Sequence, residues 1–103
     1  MAINREYVNA SRNKLVVTYG ATVGGVSITR VALNGTDVEQ DGVRLSIVGD
    51  EIEVTVKKSV RLDADEMRAY AERLGSLSSF LVDVERDLPA IDRAMTSLLS
   101  DAN

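Results

Sequence analysis

The chain has 103 residues, 45% of them hydrophobic and 27% charged, and a net charge of −4. These are ordinary values for one globular domain; they exclude a disordered polyelectrolyte and a low-complexity polymer, and they argue against general affinity for nucleic acid or anionic membrane. Cys, His and Trp are all absent, which removes disulfides, thiolate and imidazole metal sites, thiol or His-based triads, and most of the material for base stacking.

Residues 1–13 read MAINREYVNASRN. They hold no apolar core of signal-peptide length and no twin-arginine pair, and they are expected to form an N-terminal arm. No stretch approaches the roughly 18 apolar residues of a membrane span. The expectation is a soluble, cytoplasmic protein with no membrane partner. Asn34-Gly35-Thr36 matches a glycosylation sequon, and without a signal peptide it reads as a turn.

Residues 14–62 predict an antiparallel β-meander of four or five strands. Apolar and polar residues alternate over 15–19, 26–33, 36–40, 43–48 and 51–57, the period of strands with one face buried. Asn34-Gly35, Asp41-Gly42 and Gly49-Asp50 are two-residue loops of the kind that close twisted hairpins. Taken as such, they pair Leu33 with Thr36, Val31 with Val38, Gln40 with Val43, Val38 with Leu45, and Ile47 with Ile52. All three loops then put Val31, Leu33, Val38, Val43, Leu45, Ile47, Ile52, Val54 and Val56 on one face. A slip of one residue would turn a strand's apolar side to water. The opposite face is polar, with Glu39 set to pair with Arg44. Val26 and Ile28 fall out of phase with Val31 and Leu33, which predicts a bulge near Thr29-Arg30. The glycine-rich stretch at 20–25 lacks the Gly-Lys-Ser/Thr ending of a phosphate loop and reads as a flexible hairpin loop.

Residues 63–103 predict a helical segment carrying four bases against nine acids, whereas residues 1–62 carry eight against seven. Asp63 is placed to cap, with Glu66 three residues on. A metal reading of Asp63, Asp65 and Glu66 lacks calcium-loop spacing and a fourth ligand. Met67, Tyr70, Leu74, Leu77, Leu81, Val84, Leu88, Ile91, Met95 and Leu98 follow in alternating steps of three and four, an unbroken heptad stripe. Phe80 and Leu99 widen it beyond a coiled-coil seam, which fits packing on a sheet better than a projecting coiled coil. Gly75 to Ser79 is poor in helix formers, and Pro89 lacks an N–H. The segment is therefore one kinked helix, or two to three short ones with Asp87 capping a new start.

A one-faced sheet needs a cover, and the stripe supplies it. A chain of this size also leaves apolar residues over for a partner. The fold expected is α+β: a meander followed by a C-terminal helical segment. The function expected is a non-enzymatic protein–protein interaction module, a self-associating structural or assembly subunit such as a component of a viral particle. Its interface would be drawn from Leu74, Leu77, Phe80, Leu81, Val84, Leu88, Ile91, Met95 and Leu98, and its partners would be itself and another protein. The alternative is a small inhibitor or adaptor that blocks a different protein. No cofactor, metal or small-molecule substrate is expected. Carboxylate clusters at Glu51/Glu53 and Asp83/Glu85/Asp87 read as solvated faces. A weak basic cluster of Arg5, Arg12, Lys14, Lys57, Lys58 and Arg61 is the sole nucleic-acid footprint.

Overall fold

The computed structural model describes residues 2–57 and 61–101. Strands β1 (Ala2–Val8), β2 (Lys14–Thr22), β3 (Gly25–Leu33) and β4 (Thr36–Asp37) form one antiparallel sheet in chain order. A single 3₁₀ turn, Val38–Asp41, leads to a second sheet, the hairpin of β5 (Val43–Val48) and β6 (Glu51–Val56). One helix, α1 (Ala64–Asp101), follows. The architecture is α+β, with a meander first and a helical cover last.

The turns act where their chemistry places them. Asn34 (φ 51°) and Gly35 (φ 83°) both take the left-handed region, as the tight hairpin turn requires, and Leu33 lies opposite Thr36. Gly49-Asp50 closes β5 on β6 with Ile47 opposite Ile52 and Val43 opposite Val56. Between β2 and β3 the register shifts, with Thr18 opposite Arg30 and Tyr19 opposite Ile28. Thr29 is thus the bulged residue, and Val26 and Ile28 rejoin the core face. The stretch at 20–25 is mostly strand, turning only at Val23-Gly24. Gly20 lies beside the bulge, where an added Cβ would stand 2.9 Å from Thr29 Cγ2.

Three expectations need correction. Ala2–Val8 is a strand paired along β2 rather than an arm. Its alternation is hidden by Arg5, which stands between Ile3 and Tyr7 on the core-facing row. The turn after it is built by Asn9, whose Oδ1 accepts from the N–H groups of Ser11 and Asn13. Second, residues 36–40 do not continue as a strand, so the pairings Val31–Val38, Gln40–Val43 and Val38–Leu45 are not formed. Asp37 Oδ1 accepts from the Glu39 N–H, and Gly42 (φ 79°) ends the turn, so start and stop residues of a helix turn replace the hairpin. Val38 is buried all the same, and Glu39 still reaches Arg44 at 3.9 Å. Third, of the two helix alternatives, the one with two to three short helices fails: α1 is a single helix that runs through Pro89. Glu85 and Pro89 are both exposed, so the carbonyl freed by the missing N–H lies on the solvent side.

The core is one cluster under both sheets. Leu15, Val17, Tyr19, Val31, Leu33, Val43, Leu45 and Ile52 meet Leu77, Phe80, Val84, Leu88, Ile91 and Met95 of α1. Burial of each large apolar side chain contributes about 1.5–3 kcal/mol, and it overrides the poor helix propensity of residues 75–79. There Ser78 and Ser79 turn their hydroxyls back to the carbonyls of Gly75 and Ser76.

Candidate functional site

The helix starts as its first residues dictate. Asp63 Oδ1 accepts from the Glu66 N–H at 2.8 Å, and the Asp63 carbonyl takes the first helical bond from Met67. From there a strict heptad repeat meets a helix of 3.6 residues per turn, so the stripe drifts by about 20° per heptad. Leu88 and Met95 lie central on the buried face. Going back toward the N-terminus, Leu81, Leu74 and Met67 move progressively onto one flank. Burial follows the drift: Leu88 and Met95 are buried, Leu81 and Leu74 are half-buried, and Met67 is 58% exposed.

Of the nine side chains expected at an interface, Leu77, Phe80, Val84, Leu88, Ile91 and Met95 therefore cover the chain's own sheets. Leu74, Leu81 and Leu98 are half-buried at the margin of that cover. The Leu99 side chain and Lys58 lie outside the described residues.

The position of the uncovered flank follows from its opposite. Ala69, Glu72, Arg73 and Ser76 border an open groove of about 270 Å³ with Leu33, Asn34 and Thr36, and Ser79 accepts from the Asn9 side chain. That side of α1 faces the β3–β4 turn and the β1–β2 turn. Met67, Leu74 and Leu81 lie on the other flank of α1, where Leu74 borders a small cavity with Val38 and Val43. In the second sheet Ile47, Val54 and Val56 are half-buried. The helix and the second sheet thus each carry an incompletely covered apolar row. Sequence reasoning missed the β6 contribution because Val54 and Val56 read as ordinary core positions.

An ion pair pins this end of the helix. Arg73 Nε lies 2.8 Å from Asp41 Oδ2, both about one-third exposed, beside a cavity of about 10 Å³ bordered by Tyr70 and Leu74. At mid-helix, the Tyr7 and Tyr19 hydroxyls meet at 3.5 Å. Burial raises both above the ordinary tyrosine range, Tyr19 the more strongly, and nearby Asp87 adds to the rise in each. Neither arrangement forms a catalytic constellation.

The remaining charged groups are paired or separated. Arg86 reaches Asp83 and Asp87, and Lys14 pairs with Glu6. Of the expected basic cluster, Arg5 lies on β1 in the first sheet and Lys57 just past β6 in the second. No group of three or more Asp or Glu converges to hold a metal among those residues, and none of their helices is long and apolar enough to cross a membrane.

No family model matches the chain, and neither a curated protein nor a solved structure matches it.

Proposed function

We propose that this protein is a non-enzymatic, self-associating structural or assembly subunit that works in the cytoplasm, and that it associates through the incompletely covered apolar rows of α1 and β6. The observation that supports this reading is the drift of the heptad stripe. Most of the stripe is spent on the chain's own core, but Met67 is left exposed and Leu74 and Leu81 half-buried, as are Val54 and Val56 of β6, with Leu62 at the surface nearby in sequence. An apolar row that extends past its own cover is what a subunit contact buries. With neither His nor Cys in the chain, thiol and imidazole-based chemistry has no carrier.

Sedimentation equilibrium of the full chain from micromolar to millimolar concentration tests the reading. The expected result is a defined closed oligomer. Met67→Glu changes an exposed residue and should leave helicity unchanged while weakening association about tenfold, roughly 1.4 kcal/mol. A chain that stays monomeric at millimolar concentration defeats the assembly reading and turns attention to the inhibitor or adaptor class.

A further inference from the structure

β6 is an outer strand of its two-stranded sheet, paired only with β5. The direction of its free backbone groups follows from the ladder. The Lys57 N–H donates to the Gly42 carbonyl at 2.8 Å, and Gly42 lies opposite Lys57 by continuation of the register. Backbone groups alternate sides along a strand. Thr55, Glu53 and Glu51 therefore turn their N–H and C=O groups to β5, and Ile52, Val54 and Val56 turn theirs outward. Among the described residues no hydrogen bond reaches those outward groups. β6 also lacks the Pro, the bulge and the mid-strand Lys that commonly guard an open edge.

We infer that β6 pairs antiparallel with β6 of a second copy, about a two-fold axis through Val54. This rests on the self-association proposed above and names its contact. The strand is self-complementary in that register and on both faces. On the core face, Val54 meets the partner's Val54, and Ile52 meets the partner's Val56, so the apolar row runs unbroken across the axis. On the outer face, Glu51 stands opposite the partner's Lys57, and Glu53 opposite the partner's Thr55. These outer positions are the close, non-hydrogen-bonded pairs of an antiparallel ladder, where side-chain complementarity counts most. Glu51 and Lys57 are exposed and enter no ion pair within the chain among the described residues. Shifting the axis to Glu53 would instead set Glu53 against the partner's Glu53. The outer strand β1 of the first sheet offers nothing comparable: no two-fold register of Ala2–Val8 sets Arg5 against Glu6. The joined sheet keeps both helices on one side.

Three exposed-edge changes test the pairing by sedimentation equilibrium of the full chain, with circular dichroism as the check on folding. Val54→Pro removes an N–H that bonds nothing within the chain, and it should abolish the dimer at concentrations where the natural chain is fully dimeric. Glu51→Lys and Lys57→Glu each set like charges opposite one another twice per dimer. Each should weaken association about tenfold at low salt, with a smaller effect at high salt. The double variant E51K/K57E restores opposite charges and should restore the dimer, a rescue that mere loss of fold would not give. Should Val54→Pro fail to fold, the charge reversals still decide the matter. A dimer whose dissociation constant is unmoved by both single reversals overturns this pairing while leaving self-association intact. A natural chain that is monomeric at millimolar concentration removes both.

Discussion

Tyr19 is fully buried and Tyr7 nearly so, and both hydroxyls are held neutral by burial. In the unfolded chain they ionise near the ordinary value of about 10. Folding therefore favours the protonated form, and that stability is complete below pH 10 and is lost as pH rises from there toward the folded values. Denaturant titrations should show stability falling above pH 10 by up to about 1.4 kcal/mol per pH unit for each tyrosine. Tyr19→Phe should flatten the fall, and a slope unchanged in that variant would show that other groups drive it. At this scale the sequence was legible where one residue has one local job. Asp63 caps, Asn34-Gly35 turns, and the phase slip of Val26 and Ile28 marks the bulge at Thr29. It was illegible where a residue acts through a fold not yet known: nothing in the sequence says that Tyr7 and Tyr19 meet.

Elements are decided by sums of such preferences, and here competing signals mattered. Asp37 and Gly42 bracket a helix turn as well as they bracket a strand and hairpin. The turn forms because it satisfies the Glu39 N–H locally and still buries Val38. In α1, Pro89 and the run from Gly75 to Ser79 signalled breaks, but six buried apolar residues on both sides of Pro89 hold the helix as one. Pro89→Ala should therefore raise stability by about 1–3 kcal/mol, read as a shift in denaturation midpoint at unchanged slope, because an exposed interior Pro costs up to about 3 kcal/mol. A loss of stability instead would mean that the helix needs its Pro for curvature over the sheets. β1 escaped notice because one Arg interrupts a short alternation.

For the molecule as a whole, one helix covers two sheets. The long axis of 52 Å is set by α1, at about 1.5 Å per residue. The cover should unfold as a unit with the sheets. Phe80→Ala should cost about 3–5 kcal/mol, whereas Val82→Ala, at a position 73% exposed, should change stability by under about 0.5 kcal/mol. Comparable losses at both positions would mean that the two faces of α1 are wrongly assigned. The nine expected interface residues were visible in the sequence as a group. Their division between core and margin was not, because it depends on the angle at which a drifting stripe crosses a twisted sheet. The open edge of β6 was hidden for a similar reason: a strand's sequence does not say which neighbour it lacks.

The two buried tyrosines also make the protein its own optical gauge. With no Trp and three Tyr, near-ultraviolet absorbance reports almost wholly on Tyr7 and Tyr19 beneath the first sheet and on Tyr70 near the helix start. Far-ultraviolet dichroism is dominated instead by α1. If the two signals change at one denaturant concentration, helix and first sheet separate in a single event. If absorbance lags, the tyrosine layer outlasts the helix, and the meander holds residual order by itself.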